Sequence, residues 1–246
     1  IKSLMKDKKM DKKANRTALF LVILLSFLVL ILNPSLADDQ PDSKAGENKI
    51  ERSMEVIKEL AALKDEGIPV SLLKKAQGLA ILPGVVKAAW ALGGQYGSGI
   101  VIIKKEDGSW SNPLFIKLAG GSFGLQLGIQ KADLVLVFKN RRGVEEIAGN
   151  KITLGADLSV SAGPIGRSAE ASTDLEMEAE IYSYSKSKGL FAGLALKGGT
   201  LQVDKKANKA FYGSELSGQK ILNENLATPP VVKDLQQTLS QLAGGK

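Results

Sequence analysis

The chain has 246 residues, a formal net charge of +7, and neither cysteine nor histidine. These absences exclude disulfides, thiolate or imidazole metal ligands and thiol nucleophiles, and they leave a serine hydrolase without its usual base. Only oxygen ligands remain for a metal ion, and no acidic cluster has the spacing of a calcium loop, so we predict no metal site.

The N-terminal segment has the three parts of a secretory signal peptide. Seven basic residues precede an uncharged, almost wholly apolar stretch over residues 18–32, and Ser35 and Ala37 stand at the positions that signal peptidase reads. We expect cleavage after Ala37. An uncleaved anchor is the alternative, although 15 apolar residues are fewer than the roughly 20 of a membrane-spanning helix. The protein is therefore predicted to be exported, to the periplasm or the cell exterior.

Removal of residues 1–37 nearly cancels the net charge. The segment holds seven basic and two acidic residues, so the 33 basic and 26 acidic residues of the whole chain fall to 26 and 24, a net charge of +2. Duplex binding draws on many phosphate contacts from a basic face. We therefore do not expect nucleic acid as a partner, and any site for an anion must be local.

Helical periodicity begins after a polar, flexible leader, which we assign to residues 38–47. Over residues 48–64 apolar side chains recur at spacings of three and four, which predicts an amphipathic helix. Its apolar stripe consists of Ile50, Met54, Ile57 and Ala61. A second short helix is predicted over residues 72–77, with Ser71 as its N-cap.

After Gly78 the apolar period becomes two and glycine becomes frequent, which predicts strands. Strands over residues 99–105 and 114–118 flank the turn dipeptide Asp107-Gly108. The remaining predicted elements are strands over residues 122–130, 154–161 and 190–196, and helices over residues 142–148 and 229–242.

Glycines spaced two apart within strands favour sharp curvature of a sheet. We therefore predict an α+β fold, in which a strongly curved, barrel-like antiparallel sheet has amphipathic helices at both ends. Nothing between residues 48 and 246 has the composition of a linker, so we expect a single domain there.

Three motifs resemble catalytic or nucleotide-binding signatures, and none is complete. Residues 120–124 spell G-x-S-x-G around Ser122, but the chain has no histidine, and Ser122 falls inside an alternating strand. Ser-x-x-Lys occurs without its S-D-N and K-T-G companions. The glycine-rich residues 93–99 lack the Gly-Lys-Ser/Thr ending of a P-loop. We predict no catalytic residue, no cofactor and no enzymatic activity.

The densest basic groups are candidate sites for an anionic partner. Lys139, Arg141 and Arg142 come just before the short predicted helix, whose first N–H groups favour an anion. Lys186 and Lys188 form the second group. We predict that these five residues bind lipid or another anion, and the alternative is a solvated loop without a ligand.

Four segments resemble the SYLF domain family, and they occur in the order of that family. They are residues 76–81, residues 93–99, residues 154–157 with 163–167, and residues 181–193. The similarity covers roughly residues 50–242. The resemblance implies binding of phosphoinositides or other acidic lipids, binding of actin filaments in some eukaryotic members, and no enzymatic activity.

The resemblance is to the stand-alone, exported bacterial members of this family. Such a protein would not normally meet actin, so the expected partner is an acidic lipid or a membrane surface. In animal members the resemblance implies membrane contact through an N-terminal amphipathic helix. Here the polar face of the helix predicted over residues 48–64 is acidic on balance, whereas interfacial helices are normally basic, so we expect it to pack on its own sheet. A small outer-membrane β-barrel or a structural envelope protein is the alternative, although aromatic residues at 5% are few for two interfacial girdles.

Overall fold

The computed structural model describes residues 43–63, 67–90, 92–123, 128–149, 151–164, 179–186, 196 and 198–244. The predicted signal peptide over residues 1–37, most of the strand predicted over residues 190–196, and the predicted site residue Lys188 lie outside the described residues.

Eight strands lie in one sheet in the described part of the chain. They are β1 (Gly78–Trp90), β2 (Leu92–Ile103), β3 (Leu114–Phe123), β4 (Gly128–Phe138), β5 (Lys151–Thr153), β6 (Val160–Ala162), β7 (Ile181–Lys186) and β8 (Thr200–Val203). Their order is β5-β8-β3-β2-β1-β4-β7-β6. The pairs are antiparallel as predicted, except that β6 runs parallel to β7.

The two edge strands of the sheet are joined by a short connection. Only residues 154–159 separate β5 from β6, and Leu154 and Leu158 pair within that connection. Seven Cα steps reach about 25 Å at most, whereas a flat sheet of eight strands would be about 34 Å wide. The sheet must therefore curl until its edges approach each other. The predicted curved, barrel-like α+β fold is confirmed.

The described residues also form six helices, which cover both faces of the sheet. They are α1 (Ser43–Ala62), α2 (Val70–Lys75), α3 (Arg141–Gly149), α4 (Lys205–Tyr212), α5 (Gly218–Asn223) and α6 (Pro230–Leu242). Helices α1, α2, α4 and α6 pack on what we call the outer face. Helices α3 and α5 pack against the inner face, which the curl encloses.

Each face of the sheet has its own hydrophobic core. The inner core takes side chains from all eight strands, namely Ala80, Val101, Leu114, Leu134, Ile152, Val160, Ile181 and Leu201. The outer core combines Leu79 and Ile81 of β1 with the helices. Because both faces of β1 are buried, residues 79–82 are apolar without interruption and fully inaccessible.

Helix α1 crosses the outer face from β2 to β7. Near its start Lys49 Nζ donates a hydrogen bond to Ser98 Oγ of β2 (2.6 Å), and near its end Glu59 accepts an ion pair from Lys186 of β7 (2.6 Å). Between them Ile50 and Ile57 are fully buried against the sheet. The expectation that this helix packs on its own sheet is confirmed.

Three local predictions differ from the structure near the first two helices and the glycine-rich strands. Helix α1 begins at Ser43, so residues 43–47, which we assigned to a flexible leader, are helical. Ser71 is not the N-cap of α2, because that position is Pro69 and no side chain caps the helix. The strand predicted over residues 122–130 is divided, since β3 ends at Phe123 and β4 begins at Gly128.

The strand predicted over residues 154–161 is mostly a turn. Gly155 has φ of 81°, a left-handed conformation that glycine adopts without strain, and its N–H donates to the carbonyl of Leu158. Alternating apolar residues occur here because Leu154 and Leu158 both point into the inner core from the turn. The Asp107-Gly108 turn and the helices predicted over residues 142–148 and 229–242 are confirmed.

Candidate functional site

The outer face of the sheet extends beyond helix α1 at one end. There Val86 of β1 pairs with Tyr96 of β2. Ile129 of β4 pairs with Ala88, two residues beyond Val86 along β1. Tyr96 and Ile129 lie an even number of residues from Ile100 and Val135, which belong to the outer core, so all of them face outward. We call Val86, Tyr96 and Ile129 the sheet tip.

The sheet tip is exposed and apolar. Val86, Tyr96 and Ile129 are 39%, 56% and 80% accessible. Among the described residues they account for three of the five large apolar side chains that are exposed, with Leu63 and Val70 as the others. Apolar side chains that cluster on an exposed surface mark sites of interaction. The sheet tip is therefore a candidate contact surface.

Lysines border the sheet tip. Lys131 of β4 pairs with Val86. Lys117 of β3 pairs with Ser98, which follows Tyr96 by two residues and lies between Tyr96 and the outer core. Lys49 reaches Ser98 from α1. The Lys117 ammonium lies 3.1 Å from Asp204 Oδ1. Among the described residues, neither Lys49 nor Lys131 forms a salt bridge.

Lys49 is a partly buried lysine of this border. Removal of water from its ammonium lowers the pKa of Lys49, while the nearby Asp204 carboxylate partly opposes that shift. Its one hydrogen bond in the described structure goes to the neutral hydroxyl of Ser98. The positive charge at this position is therefore only weakly compensated by the protein.

The first predicted basic group lies at the start of α3, which follows the last residue of β4. The sheet tip lies at the opposite end of β4. Arg141 Nε lies 3.4 Å from Glu145 Oε1, and Arg142 Nε donates to Glu146 Oε1 at 2.7 Å. The Glu146 carboxylate raises the pKa of Arg142. Lys139 is exposed in the connection from β4. Both arginines thus already have a carboxylate partner one helical turn away.

The N-terminus of α3 also has an internal partner. The side-chain oxygen of Asn140 accepts a hydrogen bond from Gly143 N (3.3 Å), and its amide nitrogen lies 3.4 Å from Glu180 Oε1. One of the N–H groups that could hold an anion is therefore bonded to the protein itself. The prediction of an anion site at this helix is not tested by these contacts.

The structure separates Lys186 of the second predicted basic group from the first group. Phe138 of β4 pairs with Ile181, whereas Asp133 pairs with Lys186, five residues away along both strands. The separation along the strands is about 17 Å. Lys186 lies at the same end as the sheet tip and is paired with Glu59. Lys186, the described residue of the second group, therefore does not form one continuous surface with Lys139, Arg141 and Arg142.

One open cleft adjoins the start of α3. Its volume is about 490 Å³, and it is lined by Arg142, Glu146, Gly149, Lys151 and Asp157. Two basic and two acidic side chains give it no net preference for an anion. Asp157 already accepts a hydrogen bond from Thr153 N.

The described residues show neither a metal-binding group nor a helix that could cross a membrane. No three histidine, cysteine, aspartate or glutamate residues among them converge on one point. None of their helices is both long and apolar enough to span a bilayer. Residues 120–123 of the G-x-S-x-G motif lie in strand β3, paired with β2, and not on a strand-to-helix turn.

The sheet tip was not identified from the sequence. Tyr96 is a single aromatic residue in the glycine-rich segment of residues 93–99, and Val86 and Ile129 fall in other strands. A lone exposed position in each strand has no signature of its own. Only the register of β2, β1 and β4 brings the three together.

The curled sheet with a helical layer on each face places the chain among single-sheet α+β domains. Residues 119–242 match the Ysc84 family, described as Las17-binding protein actin regulator. The chain belongs to this family, which confirms the resemblance to the SYLF domain.

Curated relatives match a longer part of the chain. LAS seventeen-binding protein 3 of Saccharomyces cerevisiae is 39% identical over 182 residues, which are 73% of this chain and 39% of that protein. SH3 domain-containing YSC84-like protein 1 of Homo sapiens is 40% identical over 176 residues, which are 71% of this chain and 51% of that protein. The chain thus spans about half the length, or less, of these relatives.

Proposed function

We propose that this protein is a non-catalytic lipid-binding protein that attaches to an anionic membrane face outside the cytoplasm. The observation that carries the proposal is the sheet tip, an apolar surface that the helices leave uncovered and that lysines border. Expected export, from the segment over residues 1–37, supports a site of action at the periplasmic or outer side of a membrane.

The chemistry of the sheet tip suits the boundary between headgroups and acyl chains. Tyr96 offers an apolar ring with a polar hydroxyl, the combination that favours this boundary. Complete burial of an isoleucine or valine side chain contributes about 1.5–3 kcal/mol, and partial insertion contributes less. Each lysine close to an anionic surface adds on the order of 1 kcal/mol. Together these contributions support reversible attachment.

Family membership supports a binding role, and it also names a second candidate partner. The family description speaks of Las17 binding and actin regulation. A protein partner of the actin system is therefore the alternative to lipid, and co-sedimentation with actin filaments tests it. Export, which we expect, would keep this chain away from cytoplasmic actin, so lipid remains our proposal.

The test uses residues 38–246. Residues 41–246 form a compact unit that contains both hydrophobic cores, and the apolar residues 18–32 would bind lipid by themselves. Binding is measured by co-sedimentation with neutral vesicles and with anionic vesicles at two salt concentrations. We expect binding to anionic vesicles that weakens with salt but persists in part, because salt screens charges and not apolar contacts.

The decisive variant is Ile129→Asp, compared with Val70→Asp. Both changes place an acidic group at an exposed apolar position, but Val70 lies on α2, away from the sheet tip. We expect Ile129→Asp to weaken binding about tenfold, because it removes apolar insertion and adds a charge that the membrane repels. Val70→Asp should change binding little. Equal effects of the two changes would show that the sheet tip does not contact the membrane.

A further inference from the structure

We propose that Lys49, Ser98 and Lys117 form a binding subsite for a phosphomonoester group at the base of the sheet tip. The inference rests on the proposed function in one respect, since the phosphate would belong to a lipid headgroup at the membrane surface. The same chemistry would also accept a soluble phosphate ester.

Three elements bring these residues together. Ser98 of β2 and Lys117 of β3 are direct cross-strand neighbours on the outer face, so their Cβ atoms are about 5 Å apart. Lys49 arrives from α1, and its ammonium donates to Ser98 Oγ at 2.6 Å. The Lys49 ammonium therefore bonds to the Ser98 hydroxyl, and the Lys117 side chain starts beside it and reaches Asp204. A phosphate oxygen accepts hydrogen bonds from both ammonium and hydroxyl donors.

The charges of the protein leave this position positive. Asp204 is the nearby carboxylate, and its Oδ1 is shared between Lys117 (3.1 Å) and the backbone N–H of Ala207 (3.1 Å) at the start of α4. Asp204 is nearly inaccessible, and its side chain is the N-cap of α4. It can neutralise one of the two lysines. Lys49 keeps two ammonium protons without a partner in the described structure.

Partial burial of Lys49 gives an anion a reason to bind there. The protein removes part of the water from the ammonium, and its one hydrogen bond in the described structure goes to a neutral hydroxyl, which compensates that loss only in part. A phosphate group would restore the lost interactions. A phosphomonoester carries a charge of about −1.5 to −2 near pH 7, so it matches two lysines better than the single charge of a diester.

The subsite is also placed correctly for a lipid headgroup. Ser98 follows Tyr96 by two residues along β2, a distance of about 7 Å. A lipid whose phosphate is held at Ser98 would therefore have its acyl chains beside the apolar tip. Helix α1 closes the opposite side of the subsite through Lys49.

The experiment compares two anionic lipids at equal surface charge. Vesicles of phosphatidylcholine carry either phosphatidic acid, a phosphomonoester, or phosphatidylglycerol, a phosphodiester. We expect residues 38–246 to bind the phosphatidic acid vesicles about tenfold more tightly, from the added contacts of two lysines. If the unmodified sequence binds both kinds of vesicle equally tightly, the subsite does not hold a lipid headgroup, whatever the variants do.

The variant is Lys49→Gln/Lys117→Gln, and its matched control is Lys44→Gln/Lys58→Gln. The control removes the same charge from two exposed lysines of α1. The first pair should lose the preference for phosphatidic acid and keep tip-dependent binding, whereas the control should keep both. Thermal unfolding shows whether each variant is folded. Equal loss of the preference in both pairs would assign it to general charge and overturn the subsite.

A second experiment, with a soluble phosphomonoester in place of vesicles, distinguishes a soluble ligand from a lipid headgroup. Glycerol 3-phosphate should raise the melting temperature of the unmodified sequence and not that of Lys49→Gln/Lys117→Gln. If this occurs without vesicle binding, the subsite stands for soluble esters and the membrane proposal fails. If vesicles bind through the sheet tip without preference and glycerol 3-phosphate has no effect, the membrane proposal stands and the subsite fails.

Discussion

Asn208 shows how a single polar side chain joins a helix to the sheet. Its Oδ1 accepts a hydrogen bond from Phe115 N (3.0 Å), and its Nδ2 donates to the carbonyls of Phe115 and Asp204 (both 2.9 Å). The side chain is only 2% accessible. The last residue pair between β3 and β8 is Ile116 with Val203. At the next residue, Phe115, the Asn208 side chain therefore makes hydrogen bonds of the kind that a neighbouring strand would make.

We expect Asn208→Ala to lower the free energy of unfolding by about 2–3 kcal/mol, because a buried N–H loses its partner. The matched control is Asn223→Ala, which removes an exposed amide that, within the described part of the chain, bonds to Gln219 alone. That change should cost less than about 0.5 kcal/mol. Chemical unfolding of both variants measures the difference. Similar values for the two would mean that Asn208 does not satisfy Phe115 in solution.

At the scale of single elements, α3 combines a basic start with an acidic next turn. Arg141 and Arg142 pair with Glu145 and Glu146 at the i, i+4 spacing. Such exposed pairs contribute little to stability, but they lower the local positive potential that an anion would meet. The anion site predicted at Lys139, Arg141 and Arg142 must therefore compete with the helix's own carboxylates.

We expect replacement of Lys139, Arg141 and Arg142 by glutamine to weaken binding to anionic vesicles at low salt by less than tenfold. Three unpaired basic side chains could contribute up to about 3 kcal/mol, and pairing reduces that contribution. The variant Glu145→Gln/Glu146→Gln should have the opposite effect and strengthen binding, because it frees both arginines. Co-sedimentation measures both. If neither variant changes binding, the surface formed by Lys139, Arg141 and Arg142 is exposed to solvent and does not contact the vesicles.

At the scale of the whole molecule, α1 is part of the outer core. Ile50 and Ile57 are fully inaccessible and Leu60 is 1% accessible, all packed against the sheet. Release of such side chains costs about 1.5–3 kcal/mol each. Membrane contact through this helix, the mode implied by animal members of the family, would require it to leave the core first.

We therefore expect α1 to stay on the sheet when the protein binds anionic vesicles. Hydrogen exchange measures this directly: backbone amides of residues 50–60 should remain protected, and slower exchange on binding should be confined to the ends of β1, β2 and β4 around the sheet tip. Rapid exchange of α1 in the bound state would show instead that the helix inserts and that the sheet tip is not the contact.

The sequence determined the elements whose signals are local. An apolar stripe is enough to specify α1 and α6, and Asp107-Gly108 is enough for its turn, because each depends on residues within one or two turns of chain. Glycine-rich alternation predicted the curl correctly. It misassigned residues 154–161, because a tight turn with two inward leucines has the same pattern as a strand.

Other features depend on residues that are distant in sequence, and only the tertiary structure decided them. The pairs Arg141–Glu145 and Arg142–Glu146 follow from helical spacing, whereas Lys186–Glu59 joins residues 127 positions apart. The sheet tip is exposed because α1 crosses the sheet at Ser98 and no described helix extends past it. Strand register and the path of one helix thus decide which apolar residues face solvent, because burial is a property of the packed whole.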